Sequence, residues 1–224
     1  MTDKIILYGL DKSPPVRAVL LTLKALNIDY EYVSVNPLKG EQKTEDYLKK
    51  NPSHTIPLLE VDGRHIADSH AIIAFLASKY GKDDKLYPKD LYQRAVVDQR
   101  LHYENGGIFS NVIRKHLRPL GMNQYTQEDA EAAIKDIIDV YDVLEAYLSE
   151  NKYIAGEHLT IADLSILSSV SALDIVVPFN AEKWPKFYAW FAELKKLPYY
   201  EEVTAKGLKE IEDALKPAME KYRK

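Results

Sequence analysis

Cysteine is absent from the 224 residues. Its absence removes disulfides, thiolate nucleophiles and cysteine-based metal sites. No apolar run approaches the roughly 20 residues of a membrane span. The apolar stretch after Met1-Thr2-Asp3-Lys4 is too short for the core of a signal peptide. Positive charge does not dominate either: the formal net charge is -4, which argues against a nucleic-acid binder. His102 and His116 lie too far apart on one predicted helix to share a metal, and His65 and His70 lack helical ligand spacing. There is no internal repeat, no low-complexity tract and no G-x-S-x-G nucleophile elbow. The expectation is a soluble, cytoplasmic protein with no metal, no prosthetic group, no nucleic-acid partner and no membrane association.

With 46% hydrophobic and 29% charged residues, the chain can bury an ordinary globular core. Two textures divide it. The first eighty residues mix strands and helices: a strand over Ile5 to Tyr8, then a helix whose Val16, Val19, Leu20, Leu23 and Leu26 share a face. A second strand covers Tyr30 to Val35, a polar surface helix Glu41 to Lys50, and a hairpin Ile56 to Val61 with Arg64 to Ala67 around Asp62-Gly63. A helix over Ser69 to Tyr80 follows, with Gly81 placed to end it. Residues 81–90 are polar and read as a linker. Beyond them only helices are predicted: Leu91 to Leu117, Gln127 to Leu148, Ile161 to Ile175 and Trp184 to Leu197, then a short one opened by Pro198 and a charged terminal one after Gly207. Thr160 and Asp163 form a capping box, flanked by Leu159 and Leu164 as a hydrophobic staple; this is folding chemistry.

Three stretches can carry chemistry. In "LYGLDKSPPVRA", Ser13 precedes two prolines that suit a helix's first turn. A serine there is commonly an N-cap. It also sits beyond a strand's carboxyl end, where open sheets bind ligands, and at a helix N-terminus, which favours anions. In "NPSHTIPLLE", Pro57 cannot donate to a ladder, so either an edge position or a cis peptide that frees the Ile56 backbone must explain it. In "ADSHAI", Asp68-Ser69 opens a helix and can cap it or meet a ligand's ammonium and carboxylate.

In this order and spacing the three stretches resemble the soluble glutathione transferases, and "SPPVRA", "NPSHTIPLLE", "DSHAI" and "LPYYEE" are most similar to the insect epsilon class, with the delta class next. The resemblance spans the whole chain. It implies an α/β thioredoxin-like N-terminal domain (1–81), a linker (82–90) and an all-α C-terminal domain (91–224), acting as a cytoplasmic homodimer in detoxification. Glutathione is the implied co-substrate, activated as a thiolate by Ser13 and conjugated to small hydrophobic electrophiles. The implied glutathione site comprises Ser13, Gln42, His54, Thr55, Ile56, Pro57, Asp68, Ser69 and His70. Two positions depart from the class pattern: Asp68 replaces a frequent Glu, and Gln42 replaces a frequent His.

Other classes of that superfamily use a tyrosine near the end of the first strand, which makes Tyr8 a rival to Ser13, with core packing as its ordinary role. A thiol-disulfide oxidoreductase is disfavoured because Ser13-Pro14-Pro15-Val16 fills the place of its Cys-x-x-Cys. A binding protein that keeps the fold without turnover is the remaining alternative. The implied electrophile site is Leu10, Leu38, Phe109, Ile113, Arg114, His116 and Leu120; the stripe from Phe109 to Leu120 at helical spacing fits pocket and core alike. Gly106-Gly107, inside a helix, allows either a kink or close backbone approach across a dimer.

Overall fold

The structure, a computed structural model, describes residues 3–122 and 124–222; the ends of the two expected domains at Met1-Thr2 and Arg223-Lys224 lie outside the described residues. Strand β1 (Ile5–Gly9) leads into helix α1 (Pro14–Ala25), which returns the chain to β2 (Glu31–Ser34). Short 3-10 turns at Pro37–Lys39 and Glu41–Lys43 and helix α2 (Glu45–Lys50) precede the hairpin β3 (Leu58–Val61) and β4 (Arg64–Ala67). Helix α3 (Ser69–Tyr80) follows. The strands form one sheet in the order β2-β1-β3-β4, with β1 and β2 parallel and the other pairs antiparallel.

Alternation along the strands sets the two faces of this sheet. Leu7 and Leu59 are fully buried on the α1 and α3 side. Their neighbours Tyr8 and Leu58 point the other way, into a smaller cluster with Val35 and Tyr47 beneath α2. The expected helix over Glu41 to Lys50 breaks at Thr44, which turns to an extended backbone before α2 starts. The expected strand at Ile56 begins only at Leu58, since Pro57 has no N–H to give a ladder. The Ile56-Pro57 bond is cis. Gly81 follows α3 in an extended conformation rather than the left-handed one.

The rest is helical. Helix α4 (Leu91–Tyr103), a π-helical stretch (Glu104–Leu117) and α5 (Arg118–Gly121) run on without interruption. Helices α6 (Gln127–Glu150), α7 (Ile161–Val176), α8 (Pro185–Leu194) and α9 (Tyr200–Tyr222) complete the bundle. Gly106-Gly107 stands in the first turn of the π-helical stretch. A Cβ on Gly107 would lie 2.7 Å from the Tyr103 ring, so the glycine admits that ring within its own helix.

Helix α7 is the axis of the molecule. Its residues from Ile161 to Leu173 are all buried, and a fully buried Leu or Ile contributes ~1.5–3 kcal/mol over an exposed one. It packs chiefly against α1, joining the sheet domain to the bundle. The capping box forms as expected: the Thr160 N–H donates to Asp163 Oδ2 at 2.8 Å. Asp163 does more, accepting from the Ile154 N–H and the Trp190 indole N–H, both at 2.9 Å. Burial pushes its carboxyl up, and these donors oppose the shift.

The C-terminal segment corrects the sequence reading. There is one helix from Tyr200, not a short helix and a second one after Gly207. Gly207 lies mid-helix because a Cβ there would stand 2.1 Å from the Asp11 carbonyl oxygen.

Candidate functional site at the carboxyl end of β1

Register fixes where the three chemical stretches meet. Tyr8 on β1 pairs with Leu58 on β3, and Leu58 with Ala67 on β4. The chain beyond that row is the Gly9–Ser13 loop on β1, Ile56-Pro57 on β3 and Asp68-Ser69 on β4. All three therefore leave the sheet at one edge, in adjacent strands ~4.8 Å apart. β2 is parallel to β1 and ends there too, with Gly9 opposite Ser34, so Leu38 and Gln42 belong to the same end.

Ser13 is the N-cap residue of α1, half-buried, with an extended backbone. Its hydroxyl makes no capping bond. Both first-turn residues after it are prolines, and no acidic side chain occupies the first turn. The hydroxyl and the positive end of the helix thus remain available to an anion.

Asp68 caps α3: Oδ1 accepts from the His70 and Ala71 N–H groups at 2.9 and 3.1 Å. It does so with φ 76°, ψ 123°, a conformation unusual for a residue with a side chain. Such outliers concentrate at ligand clamps. The side chain is exposed, and Ser69 beside it is buried. Ile56 is half-buried, and His54 and Thr55 are exposed. Gln42 is buried, its Nε2 3.4 Å from the Pro37 carbonyl and its Oε1 without a partner.

His70 does not join this edge. Its Nε2 lies 2.9 Å from both Ser165 Oγ on α7 and buried Glu104 Oε2. One step along α3 from Ser69 rotates the His70 side chain towards the bundle.

Tyr8 is occupied elsewhere. Its hydroxyl donates to Glu60 Oε2 at 2.8 Å and accepts from the Lys50 ammonium, on the α2 face of the sheet. Lys50 and Tyr8 hold the Glu60 carboxyl below its usual range. If the implied conjugation of glutathione runs through Ser13, Tyr8→Phe should leave its rate within about twofold of wild type, because the ring and its packing persist; a steady-state assay checks this.

The expected electrophile wall divides. Leu38 is 65% exposed, Leu10 and Phe109 are half-buried, and Arg114 is exposed. Ile113, His116 and Leu120 are buried in the bundle core instead. The buried positions recur in steps of four, Glu104, Ile108, Val112, His116 and Leu120, with Ile113 and Leu117 beside them. Two surface clefts of about 440 and 460 Å³ lie away from this edge, lined by residues such as Tyr80 and Leu86 or Ile175 and Met219.

His116 Nε2 lies 2.8 Å from Asp136 Oδ2 on α6, and Lys115 reaches the same oxygen at 2.9 Å. Bonds from His116 and Lys115 hold the Asp136 carboxyl below its usual range. A depressed folded value adds stability above the unfolded pKa of ~3.9 and loses it as pH falls further. The stability gap between wild type and Asp136→Asn should therefore be full near pH 7 and shrink below about pH 4, as denaturant titrations at both pH values would show.

Sequence reading missed the supports of these loops. Asn51 is buried and donates through Nδ2 to the Thr55 carbonyl at 2.9 Å, and the Tyr47 hydroxyl donates to the same oxygen at 2.7 Å. Asn51 Oδ1 accepts from the Ser53 N–H and hydroxyl. The Asn-Pro-Ser motif carried that signal, since Asn nucleates turns through its side chain. Arg17 is fully buried, and burial pushes its guanidinium down to about 10. Nothing local marks it apart from a charge on an apolar face.

Among the described residues, no cluster of three or more His, Asp and Glu can hold a metal ion, and no helix is long and apolar enough to cross a membrane. Residues 7–84 match the family Glutathione S-transferase, N-terminal domain, and residues 108–198 match Glutathione S-transferase, C-terminal domain. The chain is 54% identical to Drosophila melanogaster glutathione S-transferase isozyme E7, covering 96% of each chain with a TM-score of 0.89. An epsilon-class glutathione S-transferase from the housefly, Musca domestica, is 50% identical over 96% of this chain and 98% of its own, TM-score 0.90. A glutathione transferase homolog from Drosophila mojavensis, solved with bound glutathione, is 49% identical over 97% and 98%, TM-score 0.90. With both halves matched and an edge open to an anion at Ser13, the chain belongs to the glutathione S-transferase family.

Proposed function

We propose that this chain binds glutathione across the β1–β3–β4 edge and activates it as a thiolate at Ser13 for attack on hydrophobic electrophiles. The observation that carries the reading is the Ser13 hydroxyl, which stands at the N-terminus of α1 with no capping bond to occupy it. A free thiol has a pKa near ~8.5 and is mostly neutral at pH 7. The hydroxyl donates to the sulfur anion and the helix end adds positive potential. Lowering the thiol pKa by ~2 units requires ~2.7 kcal/mol of preferential stabilisation, within reach of the two together.

In this reading Ile56 pairs its backbone with the cysteinyl unit beside Pro57. Asp68 Oδ2 meets the γ-glutamyl ammonium, and Ser69 meets its carboxylate. Gln42, His54 and Thr55 hold the glycyl end, Gln42 through an amide without formal charge. Leu10, Leu38, Phe109 and Arg114 form the electrophile wall. An apolar wall accepts many substrates; organochlorines that lose HCl and lipid-derived aldehydes are the classes we assign. The protein acts as a cytoplasmic homodimer in detoxification, including that of insecticides.

The test is conjugation of glutathione to a chloro-nitroaromatic electrophile, with glutathione affinity measured in parallel. Turnover well above the uncatalysed rate is expected. Tight glutathione binding without turnover would instead make the chain a non-catalytic binding protein.

A further inference from the structure

The loop that presents Ser13 is gripped from both sides. From within, Arg17 Nη1 donates to the Asp11 and Lys12 carbonyls at 3.3 and 3.1 Å. Its Nη2 donates to the Ser168 carbonyl on α7 at 2.7 Å, and Ser168 Oγ donates to the Pro14 carbonyl at 2.8 Å. From outside, α9 lies directly on the loop. A Cβ on Gly207 would sit 2.1 Å from the Asp11 carbonyl oxygen, 2.6 Å from its carbon and 3.0 Å from the Lys12 nitrogen. The adjacent Lys206 ammonium reaches Asp11 Oδ2 at 2.6 Å.

The Asp11 peptide is thus held between a buried guanidinium and the backbone of another helix. Ser13 stands two residues on, with its N–H donating to the Leu10 carbonyl at 2.9 Å. All the atoms a Gly207 side chain would meet are backbone, so none can yield by rotating a side chain. A displacement there passes along a closed turn to the hydroxyl. We infer that the middle of α9, through Gly207 and Lys206, is a positioning element that sets the reach of the Ser13 hydroxyl to the glutathione sulfur. The inference rests on the Ser13 reading above. Its physical basis is that a hydrogen bond tuned to a developing anion is steep in distance, and displacements near 1 Å can cost ~100-fold in rate.

Gly207→Ala, Lys206→Ala, Ser13→Ala and the surface control Gly106→Ala, whose Cβ would meet nothing within 4 Å, make the test. The readouts are the ultraviolet absorbance of enzyme-bound glutathione thiolate against pH, kcat/KM against pH, glutathione Kd and thermal unfolding. Gly207→Ala should raise the bound thiol pKa by about one unit, equivalent to about tenfold less thiolate below it. The kcat/KM profile should move with it, and Kd should change by less than about threefold, because Asp68 and Ser69 still bind the γ-glutamyl end. Lys206→Ala should shift both profiles in the same direction by less, and Gly106→Ala by nothing.

If Gly207→Ala fails to fold, Lys206→Ala decides. A lowered Tm with an unmoved thiol pKa in both variants, while Ser13→Ala does raise it, would overturn the positioning role and leave the Ser13 reading standing. If Ser13→Ala itself leaves the thiol pKa unchanged, the underlying reading fails and takes the positioning role with it.

Discussion

Replacing Ser13 with alanine is expected to lower the conjugation rate at least tenfold, ~1.4 kcal/mol in the barrier, while thermal stability and glutathione affinity change little. The two ordinary explanations for a serine at this place separate cleanly here. A serine that caps a helix costs ~1 kcal/mol of stability when truncated to alanine. In this protein the Ser13 side chain makes no capping bond, and Pro14 and Pro15 have no N–H groups to be capped. Alanine there should accordingly fold as well as serine. The hydroxyl is needed only when a sulfur anion sits beside it. Its loss falls on the charged form, so activity should drop most at low pH and recover partly as free thiolate accumulates above pH ~8.5. Affinity should persist, because the proposed site holds the peptide along the β3 and β4 ends rather than at sulfur. Full activity in the mutant, together with lost stability, would make Ser13 a cap.

The largest effect on stability is expected from Asp163→Ala. Asp163 is fully buried in the first turn of α7 and gathers the N–H groups of Ile154, Thr160 and the Trp190 indole, together with the Thr160 hydroxyl. Truncation strands three buried N–H donors, each costing ~1–3 kcal/mol once water cannot reach it. The loss of the buried carboxylate's own desolvation penalty offsets part of this. The net expectation is a loss of roughly 3–5 kcal/mol. At ~2–4 °C per kcal/mol for a chain of this size, Tm should fall by about 6–20 °C. Because α7 packs against α1, directly below the Ser13 loop, the folded variant should also lose some activity. A Tm within 2 °C of wild type would contradict the account of Asp163 as the joint between α7, α8 and the loop before them.

Much was legible before any coordinates. The strands over Ile5 to Tyr8 and Arg64 to Ala67 were readable, because strand propensity and turn signals are local properties. The Thr160–Asp163 box and the Asp68 cap rest on residues three positions apart or fewer, and these too were readable. That the Ser13, Ile56 and Asp68 stretches share one sheet edge follows from the strand register; before it, only the family resemblance grouped them. The charge and composition bounded the rest.

What the local pattern could not contain is every contact closed across long separations. Gly207 reads as a helix end in sequence and proves to be the space for the Asp11 carbonyl, 196 positions earlier. Arg17, a charge on an otherwise apolar helix face, is fully buried, its Nη1 and Nη2 bonded to carbonyls on its own loop and on α7. His70 follows Asp68 and Ser69 on α3, and its side chain turns to Glu104 and Ser165. The stripe from Phe109 to Leu120 divides because Ile113, His116 and Leu120 pack into the bundle while Phe109 stays half-buried, an outcome of contacts with α4, α6 and α7. Sequence alone determined most of the elements, because propensity, capping and alternation act within a few residues. Tertiary structure decided which side chains are buried between the two halves and which hold the Ser13 loop, because those depend on backbones that meet only after the halves pack.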